Sequence, residues 1–412
     1  MADNDSSTEY SIDNSVFEKA VKEIFSLKRF TPDMLSFGAC NSLLNSIYSV
    51  FKQALNTSLT QNVPLELSSA LEQNVFFFSG FKTYRELSEV SALLKDESGT
   101  FKSFEKFKLD TSKVGKIYNE NYMRAEYNFA VQSCQMAVKW HEYSKDADTY
   151  NLQYRTANDG KVRPAHQALN GTTLPLSDKF WNDYYPPLDW NCRCTVVQVR
   201  KNKYPLSDSN KAIKQGELAT DTPKKKMFRF NAGKELKIFP SKHPYLPKGC
   251  GDCPQRKRVQ LATRPDPALP QCKTCSILLK TCLKQSEKTV KAWSKKNIDE
   301  QNGLKINGNN FESGNITIKR GSIKDTLSHT ANMDVRNALF DIKNKVSSFR
   351  YIGWANTVQG KHHDTAYFNY YKIVINGRTY YANVKVLKNT KEEVLYCIRT
   401  NVRQLNTGTP PI

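Results

Sequence analysis

The chain has 412 residues, enough for about three domains, and its hydrophobic content of 39% and aromatic content of 11% exclude an intrinsically disordered protein. No apolar run approaches the roughly 18 residues that indicate a membrane-spanning helix, and the phenylalanine-rich run Val75–Phe78 has only four. The N-terminus has neither a basic region nor an apolar region, which excludes a secretory signal peptide. We therefore expect synthesis in a reducing cytosol, where the ten cysteines serve as metal ligands or free thiols.

The net charge of +21 is concentrated in the second half of the chain. Residues 1–200 carry 22 Lys and Arg against 24 Asp and Glu, a balance of −2, whereas the remaining residues carry 39 against 16, a balance of +23. This asymmetry predicts a nearly neutral first half that docks on protein and a basic second half that binds a polyanion. A basic surface that serves only solubility is the alternative.

Helical periodicity predicts that the N-terminal part of the chain is helical. Residues 13–59 contain two amphipathic stretches, and residues 31–33 between them are typical of a helix start. We interpret residues 75–88 and 93–107, which are rich in phenylalanine, as an aromatic-rich region with polar turns. Residues 112–143 form the clearest helix, and a stripe of aromatic and apolar residues along it is predicted to face the core.

The segment Arg155–Cys194 is interrupted by six glycine or proline residues, so it forms neither one long helix nor one long strand. Between these residues lie charged and aromatic side chains that are costly to bury without fixed partners, which predicts a compact loop-rich fold. The residues assigned to this structural motif are Arg155, Asp159, Arg163, His166, Cys192 and Cys194. Arg155 and Arg163 are expected to pair with Asp159 inside the fold.

His166, Cys192 and Cys194 have two interpretations. Imidazole and thiolate groups suit zinc, which predicts a metal site. The alternative is packing, with the two thiols buried on a strand and His166 bonded to a backbone carbonyl. The C-x-C spacing is shorter than the usual C-x₂-C pair and no fourth ligand is evident, so the sequence leaves both interpretations open. Nothing in this segment indicates catalysis.

The layout of this segment resembles that of the phage Mu protein F-like minor head proteins, also called phage head morphogenesis proteins. The matching positions are Arg155, Thr156, Asp159, Val162, Arg163, His166, Gly171, Trp181, Pro186, Pro187, Cys192, Arg193 and Cys194. The resemblance extends over about residues 70–247. It implies a structural protein of the head interior near the portal, acting in head morphogenesis, packaging or genome delivery. The implied partners are the portal, other head proteins and packaged DNA, and the implied location is the virion after synthesis in the host cytoplasm.

A second cysteine array lies in the basic half of the chain. Cys250 and Cys253 are followed by Cys272 and Cys275, in a C-x₂-C-x₁₈-C-x₂-C pattern. Two such pairs at this separation fit a tetrahedral structural zinc site, because each pair supplies two thiolates on a tight turn. A redox-active or disulfide pair, or an iron–sulfur cluster that also uses Cys282, are the alternatives. Catalytic zinc is disfavoured because four thiolates leave no open position.

Residues 301–412 predict an α+β domain with an antiparallel sheet. A helical segment at residues 323–345 is followed by three strand-rich runs, and Asn376-Gly377 between the first two is a strong hairpin signal. This order resembles the phage-associated nucleases of the barnase/EndoU/colicin/RelE-like class, which occur as C-terminal modules of Mu F-like proteins. The resemblance is carried by Ser328-His329, the hairpin from Tyr371 to Val386, and the closing run Leu395–Thr400.

RNA cleavage without a metal needs a general base, a general acid and cations around the phosphate. His329 is the candidate acid or base because an unperturbed histidine titrates near pH 6.5. Lys385, Arg399 and Thr400 are the candidates that face the phosphate. The strand-rich runs contain few carboxylates, which argues against two-metal nuclease chemistry. The alternative is that His329 only caps or packs a helix.

These observations predict a multidomain α+β protein. Residues 1–69 form a helical region, 70–247 a Mu F-like domain, 248–300 a Cys₄ zinc-binding segment with a helical linker, and 301–412 a nuclease-type domain. The preferred function is that of a minor head protein of a phage or prophage that carries a metal-independent RNase-like effector. One alternative is a purely structural DNA-binding head protein. The other is a prophage-borne polymorphic toxin, for which an immunity protein would be a partner. No membrane partner is expected.

Overall fold

The computed structural model describes residues 10–59, 62–247, 272–357 and 362–407. It confirms the predicted α+β class, with a helical N-terminal part and a C-terminal sheet. The chain forms two compact units, one made of Met1–Val63 with Ala70–Leu279 and the other of Pro64–Ser69 with Lys280–Ile412. Within the described ranges, no helix has the length and apolar character needed to cross a membrane. The predicted bounds of the four domains stay predictions.

Helices dominate the first unit, and they surround a small antiparallel sheet with the strand order β2-β1-β3. The helices are α1 (Asn14–Leu27), α2 (Gly38–Asn56), α3 (Leu65–Ala92, whose first residues belong to the second unit), α4 (Phe104–Lys116), α5 (Tyr122–Tyr143), α6 (Pro164–Gln167), α7 (Phe180–Asp183), α8 (Ser209–Ala219) and α9 (Ala232–Glu235). The strands are β1 (Tyr150–Arg155), β2 (Thr173–Leu174) and β3 (Thr195–Arg200). Short 3₁₀ turns span Pro32–Ser36, Ser144–Asp146 and Lys226–Phe228.

Helix α3 is the centre of the first unit. Residues 75–88 of the predicted aromatic-rich region lie within this one continuous helix, and the turns of that region follow it, at residues 93–99. Its Phe76, Phe77, Phe78 and Phe81 are all at most 1% exposed. Phe78 stacks on Phe239 with ring centroids 3.6 Å apart. Because this helix is buried around its circumference, its sequence lacks the one-sided periodicity by which surface helices are recognised.

Buried charges accompany these aromatic side chains. Lys82 Nζ donates to Glu126 Oε2 at 2.6 Å and to the backbone carbonyl of Tyr118 at 2.7 Å. The Asn119 side-chain amide donates to Glu86 Oε1 at 2.6 Å. Lys82 and Glu86 are both 0% exposed. The buried ion pair of Lys82 and Glu126 contributes little net stability, but removing one partner leaves an uncompensated charge in the core.

Two of the groups in this network lie on an irregular turn. Helices α4 and α5 are joined by a single π-helical turn at Ile117–Asn121, so the helical run is continuous from Phe104 to Tyr143. The predicted helix at residues 112–143 lies within this run. The wider turn buries Tyr118 and Asn119, while the next aromatic residue, Tyr122, is 47% exposed.

The second unit is a six-stranded sheet with helices on one face. Its strand order is β4-β5-β9-β8-β7-β6, and all neighbours pair antiparallel except β5 with β9. The strands are β4 (Leu304–Asn307), β5 (Asn315–Ile318), β6 (Arg350–Asn356), β7 (Thr365–Ile375), β8 (Arg378–Leu387) and β9 (Glu393–Arg399). The helices are α10 (Lys273–Asn297, which begins in the first unit), α11 (Arg320–His329), α12 (Met333–Ala338) and α13 (Ile342–Lys345), with 3₁₀ turns at Leu339–Asp341 and Val346–Ser348.

The hairpin prediction is confirmed, and the helical segment predicted at residues 323–345 is divided into three helices, α11, α12 and α13. Asn376 and Gly377 link β7 to β8 with φ angles of 50° and 73°, the left-handed conformation that a two-residue type I′ turn requires. Helix α11 ends at His329 because Thr330 is extended. Asn332 then caps a new helix by accepting bonds from two backbone N–H groups.

The sheet of the second unit has two different faces. One face packs on the helices in a large apolar core that includes Tyr371, Val384 and Leu395. The opposite face carries a smaller apolar cluster, formed by buried Ala355, Phe368 and Tyr370 with half-buried Ile352, Tyr396 and Leu405 at its edges. The second face is the one on which the candidate nuclease residues are found.

Glu86 predicts a specific pH dependence of stability. Burial raises its pKa to about 8, although Lys82 and Asn119 favour the charged form. Between its ordinary pKa of 4.5 and about 8, the folded chain therefore holds a proton that the unfolded chain releases, so stability falls as pH rises. Glu86→Gln removes this titration. At pH 8.5 the variant should exceed the wild type in free energy of unfolding by on the order of 2–4 kcal/mol.

The measurement is urea unfolding of both proteins from pH 4 to pH 8.5. The two stabilities should agree at the acidic end and diverge as pH rises. Glu120→Gln, on the same π-helical turn but exposed, is the matched control and should follow the wild-type curve. Parallel curves for wild type and Glu86→Gln would contradict this assignment.

Candidate functional site

The first candidate site is held by a strand pair. Strands β1 and β3 pair antiparallel with Arg155 opposite Thr195, which closes the loop formed by residues 156–194. Cys194 lies directly before β3, so the strand pairing fixes the position of its backbone. Helix α6 has Pro164 at its first turn, where the missing N–H is not needed. This single turn carries His166.

Aromatic packing fixes the rest of the loop. Trp181 is 0% exposed, and its indole N–H donates to the carbonyl of Pro175 at 3.0 Å. The Asn231 side chain donates to the carbonyl of Trp181 at 2.9 Å. The Tyr185 hydroxyl donates to the carbonyl of Met136 at 3.2 Å. Backbone groups that would otherwise be unsatisfied in this loop-rich segment thus find side-chain partners.

The predicted ion pairing of this segment is wrong in its partners. Asp159 pairs with Arg193, whose two terminal nitrogens approach its carboxylate oxygens at 2.6 Å and 2.8 Å. Arg163 instead approaches Asp189, with 3.4 Å between Nε and Oδ2. Arg155 is the last residue of β1 and lies opposite Thr195 in the strand pair. Both pairs are partly exposed rather than interior, so they orient the loop at its surface and contribute little stability.

His166, Cys192 and Cys194 form a buried cluster. His166 Nδ1 lies 3.6 Å from Cys192 Sγ and 3.8 Å from Cys194 Sγ, and none of the three residues is more than 6% exposed. The Cys194 thiol and the His166 ring hold the pKa of Cys192 well below its usual range. The neighbouring Cys192 sulfur, together with burial, raises the pKa of Cys194. The cluster thus favours one thiolate next to one protonated sulfur.

A small cavity adjoins this cluster. Its volume is about 20 Å³, enough for roughly one water molecule. Its lining residues are Ala157, Lys161, Val162, Arg163, His166, Asn191, Cys192, Arg193 and Cys194. None of these is a carboxylate. The cluster therefore faces a small, partly open pocket whose lining includes basic side chains.

The predicted Cys₄ site is only partly visible. Cys250 and Cys253 lie outside the described residues. Cys272 precedes α10 and Cys275 lies in its first turn, and the N–H of Cys275 donates to Cys272 Sγ at 3.5 Å. An amide directed at the first sulfur of a C-x₂-C pair suits a thiolate at that position. The zinc assignment stays a prediction.

The second candidate site is on the open sheet face of the second unit, around Tyr396. His329 Nε2 lies 3.4 Å from the Tyr396 hydroxyl. The His362 ring centroid lies 5.0 Å from that of Tyr396 and 5.3 Å from that of Phe368. Lys385 Nζ lies 4.9 Å from the Tyr396 ring centroid. Two imidazoles and an ammonium group thus border one aromatic ring.

A β-bulge places Tyr396 in this position. Asn383 pairs with Cys397 and Val384 pairs with Leu395, so Tyr396 is the extra residue of β9. Bulges re-aim side chains and are common next to active sites. Sequence reasoning missed Tyr396, because no local signal in the run Leu395–Thr400 indicates which residue a bulge will leave unpaired.

The predicted catalytic residues are brought together only in part. His329 and Lys385 both border Tyr396. Burial lowers the pKa of His329 from its ordinary 6.5, and the positive charge of Arg399 lowers it further. Arg399 also donates to Cys397 Sγ at 3.2 Å. Thr400 follows β9 and is exposed, and no described hydrogen bond joins it to the cluster.

Residues 97–197 match the family model described as Phage Mu protein F like protein. The match includes β1, the whole loop 156–194 and the start of β3. Residues 97–197 are thus similar to this family, over about a quarter of the chain. The resemblance of this segment is therefore supported, whereas the nuclease-like module lies outside the matched residues.

Two curated relatives are similar to part of the chain. One is protein F of Escherichia phage Mu, named as a candidate capsid assembly protein and 37% identical over 71 residues. The other is the Mu-like prophage FluMu F protein of Haemophilus influenzae, 34% identical over 76 residues. Each alignment covers 17% of this chain, and the aligned stretch spans only 16% and 18% of the two relatives. No solved structure matches the chain at a significant level.

The Mu F-like loop predicts a large cost for a small change at Trp181. Trp181→Phe removes the hydrogen bond to the Pro175 carbonyl and leaves a cavity, so it should lower the free energy of unfolding by about 2–4 kcal/mol. Trp190→Phe is the control, since Trp190 is only half-buried, and its cost should be smaller. Urea unfolding monitored by circular dichroism measures both. Equal costs for the two variants would contradict a special role for Trp181.

Proposed function

We propose that this chain is a head-assembly protein of a phage or prophage. The observation that carries the proposal is the Mu F-like match over residues 97–197, which includes the complete loop closed by β1 and β3. The described groups of that loop are used in packing and in surface ion pairs, which suits a structural part. A position in the head interior near the portal, reached after synthesis in the host cytoplasm, is the finer part of the proposal.

The proposed partners follow from the distribution of charge. Residues 1–200 are almost neutral and are the part that would dock on the portal or other head proteins. The basic remainder, with its balance of +23, would contact packaged DNA through phosphate groups. Binding of this kind weakens steeply as salt rises, because it releases condensed counterions.

The test of the head-assembly proposal is the composition of purified particles. Heads purified from the phage or prophage by density gradient should contain this chain at constant stoichiometry, as measured by quantitative mass spectrometry. Protease treatment of intact heads should leave it uncut if it is internal. Cross-linking should join residues 1–200 to portal or other head proteins. Particles that form normally and lack the chain would refute the proposal.

We infer a second candidate function, RNA cleavage by the second unit, from the groups gathered around Tyr396. Cleavage without a metal requires a base that removes the 2′-hydroxyl proton while that oxygen attacks phosphorus. It also requires an acid that protonates the departing 5′ oxygen, so that a cyclic phosphate and a free hydroxyl result. Two histidines on one ring can divide these roles. Because its pKa is below 6.5, His329 is neutral at pH 7 and suits the base.

The remaining groups suit the phosphate and the bases of RNA. Lys385 and Arg399 supply positive charge near His329, which would stabilise the charge that develops on the phosphate oxygens. Half-buried Tyr396 lies on the same face and could stack an unpaired base. If this activity acts on competing cells, an immunity protein would be a further partner. A head protein that binds nucleic acid without cutting it is the structural alternative.

The nuclease proposal predicts a selective loss on His329→Ala. Removing one general acid or base costs about 10²- to 10⁴-fold in rate, while nucleic-acid binding and thermal stability should change little. His363→Ala, one residue from His362 but exposed, is the matched control. The assay follows cleavage of RNA and single-stranded DNA by the full chain, with and without EDTA, which should have no effect.

The pH profile gives a second measurement. Activity that needs neutral His329 should fall as pH decreases through its pKa, which lies below 6.5, so the acidic limb should appear below that value. Wild type that binds RNA but never cleaves it would favour the structural alternative. Cleavage that survives His329→Ala would reassign the catalytic histidine.

A further inference from the structure

His166 Nδ1 has two close sulfur neighbours, Cys192 Sγ and Cys194 Sγ, and it cannot form a good hydrogen bond with both at once. Nδ1 of a neutral imidazole has either one lone pair or one proton, so it makes one good hydrogen bond. Here two sulfur atoms approach that same nitrogen, at 3.6 Å and 3.8 Å. One contact can be an S–H···N bond, but the single lone pair of Nδ1 is then used and cannot accept a bond from the second thiol. Two sulfurs that converge on one nitrogen indicate a common centre between them.

The distances agree with a tetrahedral metal at that centre. With zinc–sulfur bonds of about 2.3 Å and a zinc–nitrogen bond of about 2.0–2.1 Å, a tetrahedral angle places sulfur and nitrogen about 3.5–3.6 Å apart. The observed separations of 3.6 Å and 3.8 Å lie close to this value. All three ligand atoms lie within 4.8 Å of one another. We propose that His166 Nδ1, Cys192 Sγ and Cys194 Sγ bind one zinc ion.

Charge and burial favour the same ion. Two thiolates neutralise the charge of zinc, so the bound cluster is net neutral in a buried site, whereas two unpaired thiolates there would be costly. A divalent ion also removes the conflict between neighbouring thiols, since it would replace both thiol protons, which are released to solvent. Soft sulfur ligands with one imidazole select zinc over hard ions such as magnesium or calcium.

The fourth position of this ion faces the adjoining cavity of about 20 Å³, which has room for one water molecule. Three side chains that border this cavity are basic (Lys161, Arg163 and Arg193), and no carboxylate lines it. No general base therefore faces the bound water, and the site is structural. Its effect is to tie helix α6 to the start of β3, at the two ends of the closed loop.

The experiment must separate this zinc from the predicted Cys₄ zinc. The full chain is prepared with Cys250→Ser and Cys253→Ser, which remove half of the second set of ligands without altering the loop. Zinc content is measured by mass spectrometry after dialysis. We expect about one zinc per chain in this background and loss of that zinc on adding Cys194→Ser. Cys134→Ser, a buried thiol elsewhere in the same unit, is the control and should retain it.

X-ray absorption of the zinc in this background gives the ligands directly, even if Cys194→Ser does not fold. We expect two sulfur neighbours at about 2.3 Å and nitrogen or oxygen neighbours at about 2.0–2.1 Å. Chelation should lower the melting temperature, and added zinc should restore it. A folded, metal-free background protein with two free thiols would overturn the proposal. A mass that shows a disulfide between Cys192 and Cys194 would overturn it too, as would a shell without sulfur.

Discussion

The pairing of β1 with β3 is the constraint on which the Mu F-like segment depends. Closing the loop of residues 156–194 costs conformational entropy before any contact inside it forms, and the loop contains little regular structure to recover that cost. A buried tryptophan, aromatic packing and side chains that satisfy backbone groups offset this entropy cost. His166 and the two cysteines meet only because the register sets Arg155 opposite Thr195. A metal bound there would act as a second closure of the same loop.

The second unit uses its sheet differently, because the two faces have separate tasks. The face toward the helices supplies the apolar core, so the strands tolerate titratable groups on the other face without loss of the fold. The bulge at Tyr396 adds a local departure from the regular ladder on that open face. The groups around it are held by rigid strands and a helix end, the kind of support that a site with defined geometry needs.

Local chemistry predicted the fold where a signal was strictly local. Asn376-Gly377 specified its hairpin because the left-handed turn admits few other residues. Leu65–Ala92 was not recognised as one helix, because a helix buried on all sides carries no amphipathic period. The ligand types of the His166 cluster could be chosen from the sequence, but their convergence depends on a strand register set far away along the chain. The partner of Asp159 was wrong for the same reason, since several arginines lie within reach of one flexible loop.

The π-helical turn at Ile117–Asn121 has a consequence for how this chain can change. A π turn is in effect an α-helical turn with one extra residue, so deleting one residue there would leave a regular α-helix. The deletion would nevertheless destabilise the fold. Each residue of an α-helix advances about 100° around the axis, so everything after the deletion would be rotated by that angle relative to α4. Asn119 would leave the Glu86 carboxyl, and Glu126 would turn away from Lys82. The contacts of Asn119 and Glu126 therefore exclude a one-residue deletion at a point where the helix itself would accept it.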